Sequence, residues 1–380
     1  MFDNVYLSIL IPNRTILRQR NRCNATIPDR LPVSIYLDTN LYYIRIYLDM
    51  ETRKVQVTGG STYTVSLPKG WATENGISGG SRIEFHPEDE TLLLIPETDD
   101  GKIEGALDIT GLEGEELMRA VVTMYVSGFD IITLETSQVT AAQRRSIREA
   151  TQGLVGLEVI GETSGRVRLQ DLLDSSELSM HNAVTRMRLV ATTMLDDAVT
   201  ALIEDDDELA ADVVQRDDDV DRLWSMVSRV FRSVLRDPSA AAEIGLDRET
   251  CFDYHSSARQ LERIADHAAK IATHAQTLGA PPSDAAEALE ALHGEATEVI
   301  EVGMDALLEE DSDQATRLAN DARRRLTRID ELSRAVDDRI HELEAQQAQS
   351  LGLIVDSLSR SADYGGNVAE TALQNAAPKP

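Results

Sequence analysis

The period of the apolar positions changes twice along the chain. Across 54–96 they alternate in short runs, KVQVT, TYTVSLP, RIEFH and TLLLIP, interrupted by GGS and by the acidic turn PEDE. Alternation with period two predicts half-buried strands, and the interruptions predict two hairpins. Between them, the segment after the proline in SLPKGWATENGI predicts a short helical stretch closing at Gly76 and Ile77. Across 101–172 the pattern mixes both periods. KIEGALDI, FDIITLE, LEVIGET and RVRLQDLL read as strands, while EELMRAVVTMYVS and AAQRRSIREATQG read as helices, the second ending at Gly153. This βαβαβ(β) order predicts a small α/β unit. Beyond Asp174 every apolar stripe has the helical period, and six helices are expected at 176–204, 207–236, 250–278, 283–309, 312–346 and 350–374.

Those six helices form an internal repeat. At an offset of 109, Leu209, Asp212, Arg216, Val220, Asp221, Leu223 and Val227 fall on Leu318, Asp321, Arg325, Ile329, Asp330, Leu332 and Val336. An apolar stripe can match another stripe by chance, but Asp, Arg and Asp in register with it mark a duplication. At an offset of 97, LERIADHAAKIAT falls on LSRSADYGGNVAE. The two offsets differ by 12, which predicts a longer loop in the first copy at RDPSAAAEIGLDRET, around Pro238 and Gly245. The predicted fold class is therefore multidomain α+β. Residues 50–97 form a β-hairpin domain, 98–172 a small α/β connecting or dimerising domain, and 173–380 tandem three-helix bundles, at 173–280 and 283–376, hinged at Pro281-Pro282.

Composition narrows the setting. The 66 Asp and Glu outnumber the 37 Lys and Arg, for a net charge of −29, and only 5 of the basic residues are lysine. So acidic a surface, poor in lysine, is expected of a halophilic protein, whose carboxylates are screened by concentrated salt. Under those conditions phosphate contacts weaken steeply, so nucleic-acid binding cannot rest on bulk positive charge. Two cysteines, Cys23 and Cys251, make neither a disulfide framework nor a zinc ribbon, and no apolar run is long enough for a membrane span, so a cytoplasmic location is expected. Residues 1–49 break with the rest: they carry +2 and hold 5 of the 9 tyrosines. Three readings stay open for them: a leader that does not belong to the native protein, a basic nucleic-acid arm, or a targeting segment.

Four basic residues lie near the hairpins, Arg53, Lys54, Lys69 and Arg82, and each reads either as a contact to nucleic-acid phosphate or as a solvated surface charge. Candidate metal ligands lie in the repeat. Both copies keep an acid on the second helix, Asp221 and Asp330, and one on the third, Asp266 and Asp363; the first copy adds Asp217 and Glu262. Glu262 and Asp266 stand one turn apart on one helix face, where like charges repel. A divalent or ferric ion held by these oxygens would relieve that repulsion, and so would neutralisation of Glu262 by Arg259 or Arg263. The chain has no GxGxxG or GxxxxGK[ST] phosphate loop. Its seven histidines show no common metal spacing; His267 and His274 are a heptad apart, and only Glu290 and His293 have the Glu-x-x-His spacing of a helical di-iron site. A non-enzyme is expected.

TVSLPKGWATENGISGGSRIEF resembles the AbrB/SpoVT/MazE family of swapped-hairpin DNA-binding domains, over about residues 50–97. The resemblance implies a homodimer built through this domain and contact with promoter DNA. Ala72 and Thr73 stand where members that bind DNA tightly place basic residues. The doubled three-helix repeat, with LERIADHA in its last helix, resembles the PhoU family of phosphate-uptake regulators. That resemblance implies a regulator of phosphate uptake and homeostasis that acts through a phosphate transporter or its signalling components. Together the two halves resemble the archaeal version of this regulator, with an alternative in which the hairpin domain serves dimerisation alone. The family's metal motif is altered: Trp224 replaces its glutamate in the first copy, and Leu326 and Ser333 occupy the motif positions in the second.

Overall fold

The computed structural model describes residues 52–60, 62–88, 91–96, 102–173, 179–341 and 343–378. The expected leader at 1–49 lies outside the described residues. The chain divides into two compact units, up to Gly76 and from Ile77 onward.

In the first unit, β1 (Gln56–Thr58) pairs antiparallel with β2 (Thr62–Thr64), and α1 (Lys69–Glu74) follows Pro68. Gly59 and Gly60 turn the hairpin at φ of 64° and 81°, and Gly76 stops the chain after α1 at φ of 67°, a region open to glycine at little steric cost. Val55, Val57, Tyr63 and Val65 are exposed by 48–78%. A two-stranded hairpin with so little buried surface is marginal by itself.

The second unit opens with another antiparallel hairpin, β3 (Ile83–Glu88) and β4 (Thr91–Pro96). An α/β module follows: β5 (Glu104–Asp108), α2 (Gly114–Val126), β6 (Ile131–Glu135), α3 (Ala141–Gln152), β7 (Leu157–Glu162) and β8 (Arg166–Asp171). Its sheet order is β5-β6-β8-β7, with β5 parallel to β6 and the other pairs antiparallel. The β7–β8 hairpin thus folds back to place β8 in the centre. Leu117, Val121, Tyr125, Ile132, Leu134, Ile147 and Leu169 make the core between helices and sheet. The start of α3 is fixed by a capping box, in which Thr140 accepts from the Gln143 amide and the Gln143 side chain accepts from Thr140 N–H.

The rest is helical: α4 (Met180–Glu204), α5 (Asp207–Arg236), α6 (Pro238–Ile244), α7 (Arg248–Leu278), α8 (Ser283–Leu308), α9 (Ser312–Ile340) and α10 (Ala345–Ala376). Helices α4, α5 and α7 pack as one three-helix bundle, α8, α9 and α10 as a second, and α7 lies against α10. One continuous apolar core runs through both. The acidic composition is used at helix starts, where Asp206, Asp247 and Asp311 each accept backbone N–H bonds of the first turn.

Four differences from the sequence reading concern the helices, one of them α10, which begins at Ala345, five residues before its expected start. The segment expected as a loop around Pro238 contains α6, because proline suits the first helical turn and alanines follow it, until Gly245 at φ of 70° ends the helix. Helix α4 begins at Met180 rather than 176, with Ser179 accepting from the Asn182 amide as its N-cap. Helix α9 stops at Ile340, six residues before the expected end.

Candidate functional site

Helices α5 and α7 run side by side in the first bundle, and their seam carries the four acids of that copy. Asp217 and Asp221 are one turn apart on α5, as are Glu262 and Asp266 on α7. They share one electrostatic neighbourhood. Burial pushes the Asp217 carboxyl up to about 7, reinforced by the charges of Asp221, Asp266 and Asp218 and opposed by Lys270. Burial likewise pushes Glu262 up to about 7; Arg259 opposes this, and Asp266, Asp221 and Asp217 add to it. Asp221 is raised by burial and by Asp266 and Asp218.

Glu262 is 8% exposed. One of its oxygens, Oε1, accepts from Arg259 Nη1 at 2.6 Å, while Oε2 and the Asp217 Oδ1 are buried without a hydrogen-bond partner. Of the two arginines that could neutralise Glu262, the structure selects Arg259; Arg263 instead lies 5.5 Å from the Tyr364 ring centroid. The Arg259 guanidinium also sits over the Trp224 ring at 5.3 Å. Trp224 leads to His255, with ring centroids 4.9 Å apart, and His255 stacks on Phe231 at 4.4 Å. Burial, with Arg232 and Arg259 nearby, pushes His255 down to about 4.

The second copy is reduced. Asp330 and Asp363 remain close enough for Asp330 to raise Asp363, whose shift comes first from burial and is opposed by Arg360. Where the first copy has Trp224 and Glu262, Ser333 and Ser359 hydrogen-bond to one another at 2.8 Å. Leu326, at the place of Asp217, lies against Gly366. In the first copy four of the six proposed ligands thus act on one another's charge, and in the second copy two do. Hard carboxylate oxygens, two of them buried and unpartnered, suit a hard divalent or ferric cation. Among the described residues, however, no three His, Cys, Asp or Glu side chains are already gathered around one point.

The remaining histidines take other partners. His293 pairs with Asp196 at 2.8 Å and with Thr297 at 3.2 Å. His267 packs against Tyr364, with centroids 5.8 Å apart. The sequence reading missed the aromatic row beside Arg259, whose only signal is the i, i+7 spacing of Trp224 and Phe231 on α5. Arg53, Lys54 and Lys69 are exposed residues of the first compact unit, and Arg82 is an exposed residue of the second.

Comparison with known families matches residues 184–275 to the PhoU domain, a span that includes Asp217, Asp221, Glu262 and Asp266. Residues 56–102 match the family described as antidote-toxin recognition MazE, bacterial antitoxin. The two matches fall on the stretches whose sequences resemble these families, the PhoU match on the first copy of the repeat. No curated protein matches it. Among solved structures it is similar to PhoU from Pseudomonas aeruginosa, at 22% identity and a TM-score of 0.44, over 51% of this chain and 93% of that one. It is also similar to the phosphate transport system regulatory protein PhoU from Streptococcus pneumoniae, at 19% identity and a TM-score of 0.43, over 51% and 91%. No helix among the described residues is long and apolar enough to cross a membrane.

Proposed function

We propose that this chain is a non-enzymatic regulator of phosphate uptake, in which a MazE/AbrB-like front contacts promoter DNA and a PhoU-like back reports the state of a phosphate transporter or its signalling components. The observation that carries the reading is the PhoU-domain match over α4, α5 and α7, the helices that position the carboxylate cluster. A divalent or ferric ion would be held by Asp217, Asp221, Glu262 and Asp266, with Asp330 and Asp363 as a weaker pair in the second copy. When bound, the ion supplies positive charge that ties α5 to α7. The residues themselves set the sign and depth of the site: Glu262 brings charge below the surface, and Asp217 and Asp221 line the facing helix.

The exposed Val55, Val57, Tyr63 and Val65 support a homodimer through the front domain, since a second copy would bury them. Arg53, Lys54, Lys69 and Arg82 are the proposed DNA contacts. A second reading, in which the front domain only dimerises the protein, is favoured by Ala72 and Thr73 in α1, where charge for phosphate contact is missing. In either reading the protein acts in the cytoplasm.

The deciding experiment measures binding of the full chain to DNA upstream of phosphate-transport operons in molar salt. Neutralising Arg53, Lys54 and Lys69 together is expected to abolish sequence-specific binding. Unchanged binding would discard this DNA surface, and absence of specific binding by the native chain would leave the dimerisation reading.

A further inference from the structure

We infer that Arg259 is a built-in latch on the carboxylate cluster: it holds Glu262 in the metal-free chain, and a bound cation must take Glu262 from it. The inference rests on the reading of this cluster as a cation site. Glu262 is the most buried of the four acids, with its side chain 10% exposed. Arg259, its partner at 2.6 Å, is 41% exposed, so the guanidinium can leave while the carboxylate stays. The other Glu262 oxygen is buried and unpartnered, as is the Asp217 Oδ1, so the cluster holds acceptors that the latch does not satisfy. The four acids are close enough to act on one another's charges but are not drawn around a point.

The internal repeat supplies a control within the same molecule. At the two offsets that align the copies, Asp221 and Asp266 are kept as Asp330 and Asp363, while Arg259, Glu262 and Trp224 become Asp356, Ser359 and Ser333. The buried acid, the arginine that holds it and the ring beneath that arginine are thus present together or absent together. In the second copy Ser333 and Ser359 satisfy each other, and no latch is needed. A guanidinium kept only where there is a buried carboxylate to hold is acting on that carboxylate rather than on the fold.

Release of Arg259 also changes its surroundings. The guanidinium covers Trp224, which continues through His255 and Phe231 to Phe252, 53% exposed. Cation occupancy is thereby converted into a change on an aromatic row that reaches the surface.

The test uses the full chain and manganese alone, titrated calorimetrically in molar potassium chloride. With the competing charge removed, R259Q is expected to bind manganese about tenfold more tightly than the native chain. In an E262Q background the same substitution is expected to change nothing, because the latch has lost its carboxylate. Should R259Q fail to fold, R259K takes its place: a lysine loses the planar stack on Trp224 and holds Glu262 less firmly, so tighter binding is again expected. Equal or weaker manganese binding by the arginine variants overturns the latch and leaves the cation site standing. Absence of manganese binding in native and variant chains alike overturns both.

Discussion

Arg229 on α5 and Asp171 at the end of β8 form an ion pair at 2.8 Å, with side chains only 9% and 7% exposed. The same guanidinium reaches Asp130 at 2.7 Å and donates to the carbonyls of Tyr125 and Phe129 at 2.8 and 3.0 Å, with the Tyr125 ring 4.9 Å away. Arg236, two turns on, donates to the Ser127 carbonyl beyond α2. One helix of the first bundle therefore clamps the C-terminal end of α2, where cations are favoured, and the ends of two strands.

Removing Arg229 strands a buried carboxylate. Arg229→Met is expected to cost about 3–5 kcal/mol in urea denaturation, and adding Asp171→Asn should recover part of the loss, because breaking one side of a buried pair costs more than replacing both. A loss below about 1 kcal/mol would show that the clamp contributes little beyond what water supplies.

Helices α8 and α10 approach too closely for side chains where Gly303 faces Gly365. A Cβ at Gly303 would stand 2.6 Å from the Gly365 carbonyl oxygen, and one at Gly365 would stand 2.8 Å from Ile300 Cα. Backbone on both sides cannot give way cheaply, so Gly303→Ala is expected to cost about 1–3 kcal/mol. Gly352, also on α10, has open space around its Cβ position, and Gly352→Ala should stabilise by about 0.5–1 kcal/mol. Thermal melts of the two variants that shift in the same direction would refute the close-approach account.

Much of this fold was legible because periodicity is a local property. The α5 reading at 207–236 matches the helix end to end, since Asp206 caps it and Asp237-Pro238 stops it. The strand order was not legible: that β8 lies between β6 and β7 depends on pairing across the sheet, which alternation alone does not encode. At the site, the repeat pointed to Asp221, Asp266, Asp330 and Asp363, and helical spacing added Asp217 and Glu262, but sequence left Arg259 and Arg263 as equal candidates to neutralise Glu262. Helix geometry separates them, because a residue three positions away shares a face with Glu262 and its immediate neighbour does not. Gly303 and the Arg229 clamp left no trace in the sequence, since each depends on where another element packs.

His255 gives one limb of the pH dependence. Burial among Trp224, Phe231 and the nearby Arg232 and Arg259 holds it down to about 4, against an ordinary value of about 6.5. Between those values the unfolded chain binds a proton there and the folded chain does not, so this contribution to stability is complete above about pH 6.5 and is lost as pH falls toward 4. His255→Phe keeps an aromatic ring in the stack and removes the titration. Its stability should fall less than that of the native chain between pH 6.5 and 4.5 in urea melts, and parallel profiles would mean that His255 takes up its proton as readily in the folded chain as in the unfolded one.

Asp217 and Glu262 give the opposite limb, in a window that reaches neutral pH. Both carboxyls are pushed up to about 7 in the folded chain, from ordinary values near 4, so the folded state holds protons that the unfolded state has released. Their contribution is complete below about pH 4 and is lost as pH rises through 7. In chelator, Asp217→Asn should therefore flatten the decline in stability between pH 5 and 7.5. A cation bound by the ionised acids restores stability where the decline is greatest, by about 2.7 kcal/mol at a hundred times its dissociation constant. At pH 7.5, manganese should raise the melting temperature of the native chain and raise it less in Asp217→Asn. A manganese effect of equal size in both chains would place the ion elsewhere, and an unchanged pH profile would show that Asp217 ionises as an ordinary surface acid.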